Sequence, residues 1–172
     1  MTEDEVFLDT PRLRLRAPVP EDAAALESLF ADEEAMRGAG GPRPPGFAAG
    51  WIVTEASWLA RDGVGLRVVE LRATGELIGC AGLSRRAAPG KTSDAELDVR
   101  LLGPRQGQGL GSEAAAAVLV HAFAALGLSR VDARAEPGDG ACIRMLERVG
   151  LRYERLELGP GGARQVYALQ RP

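Results

Sequence analysis

Gln106-Gly107-Gln108-Gly109-Leu110-Gly111-Ser112-Glu113 stands between Ala95 to Leu101, where apolar and charged residues alternate, and the alanine-rich run Ala114 to Leu126. The order is strand, glycine loop, helix. Glycines let the backbone approach a ligand closely, and the first amides of a helix have no intrahelical acceptor. Reinforced by the helix dipole, they form a site for an anion such as a pyrophosphate. A glycine loop also serves as a plain turn, so the loop alone leaves that alternative open. Two phosphate cradles are excluded. A Walker loop ends in Gly-Lys-Ser/Thr, whereas Gly111-Ser112-Glu113 has no lysine and carries a carboxylate. A dinucleotide fold needs Gly-x-Gly-x-x-Gly after the first strand, and Gly107-x-Gly109-x-Gly111 has another spacing and comes late in the chain.

Outward from this block, Arg12 to Arg16 alternates Arg and Leu as a first strand, and Ala23 to Phe30 has helical spacing behind the acidic turn Pro20-Glu21-Asp22. Residues 37 to 47, rich in Gly and Pro, read as a mobile surface loop, and Phe47 to Ala60 as a helix carrying Trp51 and Trp58. Seven residues apart, the two tryptophans suit a packed helix face. Leu66 to Leu71 and Glu76 to Leu83 form a hairpin, followed by a loop from Arg85 to Ser93. In Ala95 to Leu101, Leu97, Val99 and Leu101 share one face and Glu96, Asp98 and Arg100 the other. Arg130 to Ala135 is a strand, Asp139 caps a helix from Ala141 to Val149, and Leu151 to Leu158 with Arg164 to Leu169 close the chain as two strands. The order β-α-α-β-β-β-α-β-α-β-β predicts an α/β chain of the α+β kind. Its central mixed sheet of six to seven mostly antiparallel strands is flanked by helices on both faces.

A chain of 172 residues with 45% hydrophobic and 26% charged content suits one globular domain over residues 1–172. A net charge of -3 argues against a general nucleic-acid binder. Cys80 and Cys142 fit neither a disulfide framework nor a metal-ligand pair, so no metal site is expected. No apolar run is long enough to cross a bilayer, and the acidic start is unlike a signal peptide, so a cytoplasmic protein is expected.

Gln106-Gly107-Gln108-Gly109-Leu110-Gly111 resembles the pyrophosphate signature Gln/Arg-x-x-Gly-x-Gly/Ala of the GNAT acetyltransferase superfamily. Ala95-Glu96-Leu97 through Ser112-Glu113-Ala114 resembles the matching block of its RimJ/RimL branch. Thr10-Pro11-Arg12-Leu13, Gly75-Glu76-Leu77-Ile78-Gly79, Leu126 to Val131 and Met145 to Leu151 are similar to further segments of that branch, in its order. The resemblance implies a GNAT-like fold and an acyltransferase that uses acetyl-CoA as cosubstrate. The acceptor would be a primary amine, either a protein N-terminus or a small molecule such as an antibiotic or polyamine, attacking directly in a ternary complex. It implies cofactor contacts along Gln106, Gly107, Gln108, Gly109, Leu110, Gly111 and Ser112, backbone contacts to pantetheine at Val99 and Leu101, and a general base at Glu96 with Asp98 as second choice. For Glu96 the alternative is a solvated strand carboxylate. Cys142, at a position like the family's Ser/Thr, could donate weakly to the leaving thiolate or simply pack. His121 is expected to pack, and Tyr153 and Tyr167 to sit at the core or rim. The chain departs from the family at Asp139, which stands for an Asn that helps hold pantetheine, and at Leu146, which stands for a tyrosine acid. Those departures also suit an acyl-CoA sensor without turnover or an interaction protein. Family members often dimerise, so a homodimer is also consistent.

Overall fold

The computed structural model describes residues 7–84 and 95–172. The loop expected at 85 to 93 lies outside the described residues. Alternating Leu and Arg make β2 (Leu13–Arg16), with both leucines buried, and a two-residue strand β1 (Leu8–Asp9) pairs with its outer edge. A 3-10 turn at Pro20–Asp22 leads into α1 (Ala23–Ala31), a short α2 (Glu33–Met36) capped by Asp32, and α3 (Phe47–Asp62). Residues 37 to 46 are tied down rather than loose. Arg37–Ala39 forms a 3-10 turn, the Arg43 amide donates to Phe30 O, and its guanidinium donates to Ala39 O and Gly41 O.

Three antiparallel strands follow, β3 (Leu66–Leu71), β4 (Leu77–Ser84) and β5 (Ala95–Leu101). After them come α4 (Leu110–Ala124), β6 (Arg130–Ala135), α5 (Gly140–Arg148), and the hairpin β7 (Arg152–Gly159) with β8 (Gly162–Gln170). The sheet has eight strands in the order β1-β2-β3-β4-β5-β6-β8-β7, one more than the expected range because of β1. Every pair is antiparallel except β5 with β6.

Alternation sorts the strand residues onto two faces. Val69, Ala81, Leu83, Leu97 and Leu101 pack beneath α4, whose Ala114, Ala115, Val118 and Ala122 are small enough to lie close to the sheet. Leu66, Val68 and Cys80 face the other way and pack against Leu26, Phe30, Trp51 and Ile52 of α1 and α3. Phe30 meets the rings of both Phe47 and Trp51 edge-on, at 5.1 and 5.3 Å between centroids.

One carboxylate joins the chain's beginning to α4. Glu113 accepts from Thr10 Oγ1 at 2.6 Å, from the Arg12 amide at 2.9 Å and from Arg12 Nε at 2.6 Å. Burial opposes its charge, but these bonds and the Arg12 cation outweigh it and hold the carboxyl below its usual range. The acid that excludes a Walker loop is thus a brace on the helix. Beneath the far end of α4, Arg67 is 3% exposed and meets the Nε2 of His121 at 3.4 Å. Burial lowers the Arg67 pKa to about 10, and burial first, then the Arg67 charge, lowers that of His121. His121 therefore does pack, and it packs as a neutral acceptor.

Replacing Glu113 with Ala should destabilise the fold by about 1–2 kcal/mol, since the half-buried Thr10 hydroxyl and the exposed Arg12 amide and Nε lose their acceptor. Urea unfolding at pH 7 measures this. A depressed carboxyl stabilises above its unfolded value, about 4.3, and that contribution is lost as pH falls, so the gap between wild type and Glu113→Ala should close toward pH 3. His121 has the other sign of charge. Its folded pKa lies below the unfolded value of about 6.5, so stability is full above pH 6.5 and drops as pH falls through that value. His121→Gln should lose less stability than wild type between pH 7 and pH 5, and equal losses would remove His121 as the titrating group.

Candidate functional site

β5 and β6 are paired only at Ala95–Val131 and Glu96–Asp132. Beyond those residues β5 stays with β4 as far as Leu101, and β6 stays with β8 as far as Ala135, so the two parallel strands splay into a V. The Leu102 amide donates to Ile78 O on the β4 side. By alternation, the backbone groups of residues 98 and 100 point to β4, and those of Leu97, Val99 and Leu101 point into the V. Gln106 Nε2 takes the Leu101 carbonyl at 2.9 Å. Val99 is left presenting both an N–H and a C=O to the opening.

The wide end of the V meets the start of α4. Gly107 and Gly109 have φ of 75° and 77°, which glycine alone adopts cheaply, and they turn the chain so that the helix points its N-terminus at the cleft. No amide from Gly107 to Ser112 has an acceptor among the described residues. Gly111 packs between β5 and α5. A Cβ there would lie 3.2 Å from Met145 Sδ and 3.8 Å from Leu101 Cδ1. Three arginines that also line the cleft, Arg37, Arg144 and Arg148, have no ion-pair partner among the described residues. A cleft of about 480 Å³ with free amides and free guanidinium groups suits a long ligand bearing several phosphates.

At the narrow end the sheet face is paved with ion pairs. Arg134 Nη1 bonds Glu96 Oε2 at 2.5 Å and Arg134 Nε bonds Glu157 Oε2 at 3.0 Å. Arg130 Nε bonds Asp132 at 2.7 Å, and Arg100 bonds Asp98 through Nε at 3.1 Å and through Nη2. Burial opposes the charge of Arg134, but Glu157 and Glu96 more than offset it and its pKa rises. Arg100 rises for the same reason, with Asp98 overcoming burial. A second pocket of about 330 Å³ lies between the turn at Gly38 and Gly40 and the tip of the β7–β8 hairpin at Gly159, Gly161 and Gly162. It shares Gly38, Ala39 and Arg134 with the cleft.

The family model of the acetyltransferase (GNAT) domain matches residues 12–152. The chain belongs to the GNAT acetyltransferase family. It is 33% identical over 151 residues to the uncharacterized N-acetyltransferase YoaA of Bacillus subtilis, covering 86% of this chain and 84% of that one. The acetyltransferase from Agrobacterium tumefaciens superposes with a TM-score of 0.81 at 26% identity, over 99% of this chain and 97% of that chain. RimL, a ribosomal L7/L12 alpha-N-protein acetyltransferase in complex with coenzyme A, shares the fold with a TM-score of 0.78 at 17% identity, over 96% and 98% of the two chains. This chain is therefore an acyltransferase of the GNAT kind, in a family that uses acetyl-CoA in general, and no helix among its described residues is long and apolar enough to cross a membrane.

Against that family frame the residues singled out from sequence divide in two. Asp98, Val99, Leu101, Gln106, Gly107, Gly109, Gly111, Ser112, Asp139 and Cys142 all line the cleft. Glu96, Gln108 and Leu110 do not. Glu96 is 6% exposed beside the cleft, held by Arg134. The Gln108 side chain folds back onto Pro104 O, and its carbonyl accepts from Arg12 Nη1. The Leu110 side chain is 3% exposed in the core, so its amide alone faces the loop. Asp139 accepts from the Cys142 amide at 3.1 Å, the cap read from sequence. Burial first, then Asp139 and Asp98, push the Cys142 thiol up to about 12. The thiol of coenzyme A, near 8.5, is the stronger acid, so Cys142 can hydrogen-bond a departing thiolate but is a poor source of its proton. Leu146 is packed in the core and borders the cleft, whereas Tyr153 and Tyr167 meet edge-on outside the cleft lining.

Sequence reasoning missed Arg134 and the free arginines. The signal for Arg134 was present, since Arg130, Asp132 and Arg134 alternate with Val131, Ala133 and Ala135 and so share the face that carries Glu96.

The cradle can be tested at Gly107, where an added Cβ meets nothing within 4 Å and Asp tolerates the left-handed backbone at a cost of about 1 kcal/mol. Gly107→Asp places a carboxylate among the free amides. Its affinity for acetyl-CoA by calorimetry should fall at least tenfold with the thermal midpoint shifted by only a few degrees. Unchanged affinity in a folded variant would remove the cradle.

Proposed function

We propose that the chain transfers the acetyl group of acetyl-CoA to a primary amine, by direct attack within a ternary complex. The observation that carries this reading is the splayed V, which puts free helix amides at one end of a cleft and a carboxylate ion pair at the other. The amides of Gly107 to Ser112 and the guanidinium groups of Arg37, Arg144 and Arg148 hold the phosphates. The Val99 backbone aligns pantetheine and offers its N–H to the carbonyl oxygen as charge develops there. Acetyl-CoA supplies an activated thioester, whose thiolate leaves with a conjugate acid near 8.5 and can be protonated by water. That fits a site with no tyrosine at Leu146 and a weakly acidic thiol at Cys142.

The amine enters from the second pocket and meets Glu96, which accepts its proton directly or through water. Asp98, already chelated by Arg100, is less available. Glycines at Gly38, Gly40, Gly159, Gly161 and Gly162 leave main-chain groups uncovered on both walls of that pocket, which suits the backbone of an extended N-terminal segment. The ribosomal N-terminal acetyltransferase among the structural neighbours supports the same acceptor class. The second reading, an acyl-CoA sensor, is favoured by the engagement of Glu96 with Arg134.

A thiol-release assay with acetyl-CoA against N-terminal peptides, polyamines and aminoglycosides separates the two readings. Release with one acceptor class is expected, and binding without release on any of them supports the sensor. On the active acceptor, Glu96→Gln should lower kcat by about 10²-fold or more, most strongly at low pH, and leave acetyl-CoA affinity within twofold. A wild-type rate and pH profile in that variant would remove Glu96 as the base.

A further inference from the structure

Arg134 stands where the backbone ladder between β5 and β6 has stopped. Its side chain, 12% exposed, leaves β6 one residue before the strand's end and reaches Glu96 on β5 through Nη1, while Nε and Nη2 reach the two oxygens of Glu157 on β7 at 3.0 and 3.3 Å. It lines both the cleft and the second pocket. From this geometry we infer that Arg134 is a positioning residue for acyl transfer. It holds the Glu96 carboxylate ionised and aimed at the junction where the acceptor amine meets the acyl cleft. The inference rests on Glu96 as proton acceptor.

The surroundings of Glu96 show why such a cation is needed. Asp132 lies opposite it in the β5–β6 register and is 1% exposed, with Arg130 as its partner. Asp98 lies two residues along its own strand, paired to Arg100, and Glu157 approaches from β7, shared between Arg134 and Arg155, whose Nη2 is 2.7 Å away. Three carboxylates therefore crowd one face around a fourth. Like-charge repulsion and burial both favour a proton on Glu96, and the Arg134 cation opposes them. A carboxyl that already carries a proton cannot take one from an ammonium or a bridging water. A guanidinium is suited to the task because it stays ionised and its planar fork reaches both carboxylates at once.

The test reads Glu96 directly by its titration, which needs no acceptor, and adds kinetics on whichever acceptor class releases thiol. The full chain is labelled with ¹³C at glutamate side-chain carboxyls, and the Glu96 resonance is identified by its loss in Glu96→Gln. Arg134→Gln should raise the titration midpoint of that resonance by at least one pH unit, a tenfold gain in proton affinity. Arg134→Lys, which keeps the charge but not the fork, should raise it by less and lower kcat severalfold with the KM for acetyl-CoA unchanged. A midpoint unmoved in folded Arg134→Gln overturns the inference. Should the glutamine variant fail to fold, a wild-type midpoint and kcat in Arg134→Lys overturn it instead. The failure of the underlying reading looks different, because Glu96→Gln would then keep wild-type turnover whatever the titration shows, and the positioning role would fall with it.

Discussion

The separation of β5 from β6 after only two matched pairs of residues is the constraint from which the site follows. A continuous parallel ladder would spend the amides and carbonyls of Val99 and Leu101 on β6 and close the sheet. Because the ladder ends at Glu96 and Asp132, those groups face a gap instead. Unpaired strand groups are costly when buried away from water, so the gap must either be wet or be filled by a ligand that bonds as a strand would. The amide-bearing arm of a coenzyme A thioester has that character. Gln106 already meets part of the demand by capping the Leu101 carbonyl, and in doing so it draws the glycine loop against the end of β5.

The same separation explains why the two halves of one sheet face differ. Over β3 and β4 the face is apolar and covered by α1 and α3, with Leu66, Val68 and Cys80 beneath Trp51 and Ile52. Over β5, β6 and β7 it carries Glu96, Asp98, Arg100, Asp132, Arg134 and Glu157 in linked ion pairs. Charges taken out of water in this way stabilise a fold weakly compared with apolar side chains of the same size. A chain that keeps six of them beside its cleft is retaining chemistry there at some expense of stability. The opposite face, under α4, holds the structure together, and the brace from Glu113 to Thr10 and Arg12 keeps that helix, and so the cradle, in place.

The sequence made the scaffold legible wherever period and punctuation agreed. Leu66–Leu71, Ala95–Leu101 and Arg130–Ala135 run between the residues read as their ends, and Asp139 caps α5 as its position before the helix suggested. The two-residue β1 and the four-residue α2 escaped because elements so short carry only about one period of their pattern, too little to repeat. Residues 37 to 46 looked loose from their glycines and prolines, yet Arg43 fastens them by bonds to main-chain carbonyls that no local pattern announces. Within the site, the backbone cradle was readable because glycines at a helix start act locally. Glu96 was visible as an acid on a strand, but its partner lies 38 residues away, and only the parallel register places Arg134 beside it. In a chain so rich in arginine, residue type alone could not separate that one from the rest.

The ion pair also bears on which amine the site can use. A carboxylate held by a guanidinium is a weak proton acceptor, so it serves best an amine that is already partly neutral. At pH 7 about one-tenth of an α-amine with pKa near 8 is neutral, against roughly one part in 2,500 of a lysine side chain near 10.4. The difference is about 250-fold in the population able to attack, before any contact with the protein is considered. A site that meant to acetylate lysine would need a stronger base or a desolvated pocket to recover it. Here the acid beside the cleft is paired with Arg134, and the pocket through which an amine arrives carries Arg134, Glu157 and Arg164 among its glycines, charges that keep it from being a desolvated apolar pocket. Both features direct the proposed chemistry toward the terminal amine of a chain, about one-tenth of which has already given up its proton at pH 7.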